Sequence, residues 1–244
     1  MTNLALMIAT AAFAAQAAAC VVHTHDGDRG RDLATISARW SLRNMIDGAT
    51  TRCPAGFDTV ELFAQPVDDS GDPTGDPAID LFDCDAPAGL STDLAPDVYR
   101  VWIEVRSHDL STLYAQSLSQ VRDVRLADEQ LTATILNDGG YFQLSWDLIG
   151  KTTNRAIDCG QAGVDSILAV STSVTDAHRI YDDRRRCDDH TGVSDGLLQG
   201  AYTITIDAMA GDRSLGKTAL TRQVIASQNR ITDLGRIAIP LDGL

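Results

Sequence analysis

The sequence is poor in positive charge. Only two lysines occur, Lys151 and Lys217, among 20 basic residues, and the formal net charge is −14. Such a chain repels phosphate backbones and anionic lipid surfaces, so nucleic acid is not an expected partner. The sequence also lacks the C-x-x-C spacing of zinc and dithiol redox motifs in all 5 of its cysteines, and the four that follow the first read as structural staples. Long stretches of 3.6-residue periodicity are missing after the first twenty residues, which excludes a helical bundle. The segment "SLSQVRDVRLADEQL" comes nearest, but "VRDVRL" alternates as a strand does. Hydrophobic residues still make up 44% of the chain, enough to build a real core.

Charge is also absent from the first nineteen residues. Leu4 to Ala15 is apolar but too short to span a bilayer stably. Ala17, Ala18 and Ala19 follow, and then Cys20. This order resembles a bacterial lipoprotein signal. The resemblance implies cleavage after residue 19, lipidation of Cys20, and a membrane partner reached through that anchor. The expected location is the bacterial cell envelope, at the outer membrane or a periplasm-facing surface. Plain secretion after Ala19 and a non-exported apolar N-terminus are the alternatives. The cysteine count supports export, because lipidation of Cys20 leaves two pairs, Cys53, Cys84, Cys159 and Cys187. Residues 20–33 read as a tether. His23, His25, Asp26 and Asp28 lie on it, and a flexible segment makes a poor preorganised metal site.

Two stretches of the remaining chain match. "ATISARWSL" (Ala34 to Leu42) and "GYFQLSWDL" (Gly140 to Leu148) both alternate apolar residues through a tryptophan, Trp40 and Trp146. Period-two alternation marks a strand with one buried face. A cysteine follows each tryptophan at the same spacing, Cys53 and Cys159, and a second cysteine follows each of those, Cys84 and Cys187. Then come "APDVYRVWIEV" and "LQGAYTITIDA", in which Tyr99 answers to Tyr202. A repeat of about 105 residues means tandem domains rather than a solenoid. The expected domains are 34–137 and 138–244. Four cysteines allow three pairings. The repeat selects Cys53 with Cys84 and Cys159 with Cys187, since equivalent positions form equivalent bonds. Short strands at even spacing with turn residues between them predict an all-β fold of two tandem antiparallel β-sandwiches.

The W…C…C…Y order is similar to that of tandem immunoglobulin-like or transthyretin-like modules of bacterial surface lipoproteins. The resemblance implies an exported scaffold of unassigned activity.

Four other features bear on function. Gly211 to Thr218, "GDRSLGKT", matches the phosphate-loop pattern letter for letter. Such a loop needs a buried parallel strand before it and a helix after it. Here the preceding "YTITIDAMA" alternates, and the equivalent first-copy segment, Ser107 to Gln116, has neither glycine nor lysine. A strand-to-strand turn is therefore predicted, with Gly211 and Gly216 as turn glycines and Lys217 solvated. No nucleotide and no other cofactor is expected. Asp68 to Pro77 is acidic, but an EF-type loop wants Gly and Glu where Pro73 and Ile79 stand, so a solvated loop is the better reading. Asp182 to His190, "DDRRRCDDH", reads as a surface loop of mutually paired charges. His108, His178 and His190 lie far apart in sequence, and no catalytic or metal-binding set emerges.

Trp102 is out of place. It shares a strand face with Arg100 and Glu104, opposite Tyr99, Val101 and Ile103, where a polar residue belongs. It therefore contacts a protein or glycan partner, packs between the two copies, or lies under a neighbouring loop. The leading functional reading is a non-enzymatic envelope lipoprotein for binding, adhesion or scaffolding. The alternative is an envelope enzyme or accessory subunit with a site built from loops near Asn137, Asp138, Gly139 and Gly140.

Overall fold

Alternation in the sequence becomes alternation in the strands. In β1 (Ile36–Arg43), Ile36, Ala38, Trp40 and Leu42 are buried and the residues between them are not. The structure is a computed structural model that describes residues 32–225 and 230–242. The signal segment, Cys20 and the tether histidines lie outside the described residues. The first half continues with β2 (Thr50–Thr51), β3 (Thr59–Pro66), β4 (Ala78–Asp83), β5 (Ala88–Leu90), β6 (Val98–Arg106), β7 (Leu113–Gln116), β8 (Gln120–Asp123) and β9 (Glu129–Leu136). The second half holds β10 (Gly139–Gly150), β11 (Ala156–Ile157), β12 (Ser166–Ser173), β13 (Ile180–Arg186), β14 (Thr191–Val193), β15 (Leu197–Leu198), β16 (Gly200–Ala210), β17 (Arg213–Ile225) and β18 (Ile231–Leu241). Among the described residues the only α-helix is one turn, Cys159–Ala162. No helix among them is long and apolar enough to cross a membrane.

In the first half, β2-β1-β5 with β9 forms one sheet and β4-β3-β6-β7 with β8 forms another. Their inward faces meet in a hydrophobic cluster that includes Ile36, Trp40, Leu62, Ile103 and Ile135. The second half repeats this plan around Phe142, Trp146, Ile167, Tyr202 and Ile206. There the two layers join into one nine-stranded sheet, because β17 meets β18 at Gly216 and Leu241.

The pairing is antiparallel throughout except at one strand pair in each half. Strand β1 runs parallel to β9 from Ile36↔Glu129 to Arg43↔Leu136, and β10 runs parallel to β18. This corrects the expectation of purely antiparallel sandwiches. A strand alternates in the same way whichever direction its neighbour runs, so alternation cannot reveal that the first and last strands of each half lie side by side.

The same four anchors recur in both halves. Cys53 is bonded to Cys84 and Cys159 to Cys187, with Cα atoms 6.1 and 5.9 Å apart. The indole N–H of Trp40 donates to the Cys84 carbonyl at 3.2 Å, and that of Trp146 to the Cys187 carbonyl at 2.9 Å. A buried indole needs such a partner, because an unpaired N–H in a core costs about 1–3 kcal/mol. Ser91 and Ser194 hydroxyls accept from the Ile36 and Phe142 backbone N–H groups, each at 2.9 Å. The hydroxyls of Tyr99 and Tyr202 donate to the carbonyls of Ala95 and Leu198. Burial pushes the Tyr202 hydroxyl up to about 12, so it stays a donor at any ordinary pH.

Two expectations about local structure are corrected. The charged stretch at residues 182–186 belongs to strand β13, not to a loop, and Cys187–Asp189 forms a 3-10 turn. Arginines and aspartates suit this position because β13 is an edge strand with one side open to water. Gly216 is not a turn glycine. It sits inside β17, where a Cβ would overlap the Pro240 carbonyl oxygen. Its role is close approach between strands, which is what lets β17 reach β18.

Candidate functional site

The outer face of the β4-β3-β6 sheet carries an apolar row. Ile79, Phe63 and Trp102 lie opposite one another across three strands. Phe63 and Trp102 stack with centroids 4.7 Å apart and planes 3° from parallel. Such offset aromatic pairs contribute about 0.5–1.5 kcal/mol beyond area burial. Around the row, Ile79, Leu81 and Val121 remain 49%, 55% and 58% exposed, which is unusual for three large aliphatic side chains on one wet face.

Strand β6 is where the face opens. Its partner on the far side from β3 is interrupted. Strand β7 ends at Gln116, opposite Glu104, and β8 begins at Gln120, opposite Val101. Ser117, Leu118 and Ser119 therefore stand beside Trp102 in place of a regular strand. Ser117 holds this break in position, accepting from the Ile103 N–H at 3.0 Å and donating to the Leu118 carbonyl at 3.0 Å. Trp102 consequently borders a cleft of about 250 Å³. Gln65, Pro73, Arg100, Gln116 and Ser119 of the first half line it, together with Gln143 and Ile231 of the second. Both halves belong to one compact unit, Arg31–Leu244. They are tied at this point by Gln116, whose amide oxygen accepts from the Ile231 N–H, and by Arg230, whose guanidinium donates to the Leu113 carbonyl.

Electrostatics hold the indole still. Its N–H donates to Glu104 at 3.1 Å. Arg106 pairs with Glu104 and with Glu61, each at 2.6 Å. Glu61 and Glu104 are both buried. Burial raises the Glu61 carboxyl above the ordinary range; Arg106 pulls it down and Glu104 pushes it up again. A single guanidinium thus serves two buried carboxylates and leaves neither free to act as a base. Arg100 donates to the Gly71 carbonyl, which fastens the 68–77 loop over the rim.

The remaining sequence candidates do not join this site. Asp68 folds back within its own loop, accepting from the N–H groups of Ser70 and Asp72. Among the described residues no group of three or more His, Cys, Asp or Glu could hold a metal ion. His108 lies 3.3 Å from Asp58, and both side chains are exposed. The junction residues of the enzyme reading are structural. Asp138 caps the backbone N–H of Met45 at 2.7 Å, and the Asn137 amide donates to Asn44. Cβ atoms at Gly139 or Gly140 would overlap the backbone of Leu197 or Arg230. Gly211–Thr218 forms a hairpin. Gly211 turns with φ of +59°, and Lys217 pairs opposite Asp207 on the adjacent antiparallel strand.

The expectation that no serine stands in a G-x-S-x-G elbow is corrected. Gly192–Gly196 spells G-V-S-D-G, a nucleophile-elbow match. Its serine, Ser194, is buried and its hydroxyl accepts from the Phe142 backbone. No helix follows it, and Ser91 makes the same contact in the first half, with Gly89 before it but Asp93 where Gly196 stands. The motif is therefore a piece of the shared frame and lacks the strained, exposed turn of a hydrolase.

No family model matches the chain, and no curated protein matches it in sequence. Similar solved structures include a leucine-rich repeat protein from Bacteroides thetaiotaomicron, at 10% identity and a TM-score of 0.41, with 86% of this chain and 27% of that one covered. They also include the fimbrial anchor protein Mfa2 from Porphyromonas gingivalis, at 13% identity and 0.29, covering 84% and 90%. A third is the minor pilin GBS52 from Streptococcus agalactiae, at 8% identity and 0.29, covering 86% and 97%. At these values the likeness concerns strand arrangement and nothing of activity.

Trp102 was legible in the sequence as a misplaced aromatic. Phe63, Gln65, Gln116, Ser119 and Gln143 were not. Phe63 could have been found, because Val60, Leu62 and Ala64 alternate inward in "TVELFAQP" and leave Phe63 facing out.

Proposed function

We propose that the chain is a non-enzymatic binding protein of the bacterial cell envelope. In this reading it is held to the membrane through a lipid on Cys20, it is built from two disulfide-stapled modules, and it engages its partner at the Trp102 face. The observation that carries the reading is the Ile79–Phe63–Trp102 row, backed by a rigid ion-pair network and bordered by a cleft. A half-buried tryptophan held by a buried Phe63 on a preorganised sheet suits a binding surface, since little order is lost on association. The carboxylates beside the indole are consumed by Arg106, which favours recognition over acid–base chemistry.

The test is binding of the purified soluble chain, carrying Cys20→Ala, to isolated envelopes. Trp102→Ala is expected to weaken binding at least tenfold, with the melting temperature lowered by loss of the Phe63 stack but still above the assay temperature. Equal binding by the variant would remove this face from the reading. Incorporation of labelled palmitate into the wild-type chain but not the Cys20→Ala variant is expected if the anchor is present.

A further inference from the structure

We infer that the cleft beside Trp102 is a saccharide-binding site that takes a pyranose unit of a glycan chain. This rests on the binding reading above and names the ligand class.

Trp102 is the aromatic side chain that lines the cleft, and its orientation is fixed by the stack on Phe63. A flat π surface with a fixed orientation presents negative quadrupole density. That surface is complementary to the polarised C–H groups on one face of a pyranose ring, not to a charged or irregular group. The walls are planar amides and hydroxyls, from Gln65, Gln116, Gln143 and Ser119. Side-chain amides offer donors and an acceptor in one plane, and adjacent ring hydroxyls present the same alternation. The side chains of Gln143 and Ser119 are exposed and have no hydrogen-bond partner among the described residues, so their capacity is available to a ligand. Arg100 adds a guanidinium with no carboxylate partner among the described residues. It can donate to a ring hydroxyl or to the carboxylate of a uronic acid.

Size and charge narrow the occupant. A volume of about 250 Å³ lies just below the usual range of about 300–1,000 Å³ for pockets that enclose drug-sized ligands. One sugar ring fits and the rest of a chain leaves the cleft to either side. A net charge of −14 opposes a densely charged polyanion, whereas an uncharged chain or one carboxylate facing Arg100 is tolerated.

The second half shows what the site requires. The equivalent cross-strand row is Asp182, Val170 and Thr205. The strand beside it, β17, runs on from Thr218 to Leu220 opposite Ile206 to Ile204. That half therefore has neither the aromatic face nor the break that exposes one.

The experiment is calorimetric titration of the soluble mature chain with two sets of hexasaccharides. One set is neutral: cellohexaose, laminarihexaose, maltohexaose and chitohexaose. The other is uronic: hexamers of galacturonate and of alginate. Binding by at least one member is expected, weakened tenfold or more in Trp102→Ala and several-fold in Gln143→Ala, with Trp102→Phe retaining part of it. Gln143 is exposed on the surface, so its variant tests the site even if Trp102→Ala folds poorly. Arg100→Gln separates the two sets: it weakens uronate binding selectively if the carboxylate is recognised, and both equally if Arg100 serves hydroxyls. Absence of binding by every oligosaccharide would overturn the saccharide assignment. If envelope binding were still lost in Trp102→Ala, the broader binding reading would survive that result. Undiminished saccharide binding in both Trp102→Ala and Gln143→Ala would overturn the placement of the site.

Discussion

The two halves of the chain share a frame and differ on one surface. Tryptophan, two cysteines, serine and tyrosine make the same bonds in each. The outer sheet face does not follow. Where the first half presents Ile79, Phe63 and Trp102, the second presents Asp182, Val170 and Thr205. A core residue is fixed by its neighbours, while an outward residue in the same strand is free to change, so surface differences between copies point to function more sharply than shared core positions do.

The comparison can be pressed first at the disulfides. Replacing Cys53 and Cys84 by serine is expected to destabilise the first half by about 3–4 kcal/mol, and the Cys159/Cys187 double variant to do the same for the second. Guanidinium unfolding with probes in each half would check this. Effects of very different size would show that the shared frame is not equally stabilised. Next in size are the buried indoles. Trp40→Phe and Trp146→Phe each lose ring volume and the indole bond to the Cys84 or Cys187 carbonyl, for an expected cost of about 2–3 kcal/mol, somewhat less at Trp146, where the His190 N–H still donates to Cys187.

The halves should then diverge at the strand that closes each sandwich. Gly216→Ala forces a methyl group against the Pro240 carbonyl and is expected to cost about 1–3 kcal/mol. The counterpart, Ala115, is fully buried in the first core, so Ala115→Gly removes a packed methyl group and is expected to cost about 1–2 kcal/mol. A Gly216→Ala variant as stable as the wild type would mean that β17 and β18 are not closely joined at Gly216.

The smallest effect concerns Asp183, which is 5% exposed. One of its oxygens accepts from the Asp195 N–H at 2.7 Å and the other has no partner. Burial raises its carboxyl, Arg185 pulls the other way, and the Asp195 and Asp182 charges add to the rise. The folded form therefore holds its proton more tightly than the unfolded form. Its contribution to stability is greatest at low pH and declines as pH rises above about 4. Asp183→Asn is expected to flatten that decline in the second half while keeping the acceptor for Asp195. A pH series of melting temperatures would show it.

Much of this was legible in the sequence, for an identifiable reason. The all-β fold follows from period-two alternation, and the order of tryptophan, cysteine and tyrosine is local information repeated once. What escaped is non-local. The parallel pairing of β1 with β9 joins residues about 93 positions apart and leaves no mark on either strand alone. Gly216 looked like a turn glycine because the contact that requires glycine, the Pro240 carbonyl, lies on another strand. The cleft depends on a break at Ser117–Ser119 that shows itself only once β6 has a partner on that side. Residues 182–186 read as a loop from their charge, although an edge strand accepts charge readily.

The claim that the recognition site lies at the Trp102 cleft can be tested on the three indole N–H signals of the chain, followed by nitrogen–proton correlation spectra during titration with the hexasaccharide that binds most tightly. Trp40 and Trp146 are locked to core carbonyls, whereas Trp102 borders the cleft. The expected result is a progressive shift of the Trp102 signal with the other two unmoved. A stationary Trp102 signal at saturating ligand, or comparable shifts at all three, would contradict it.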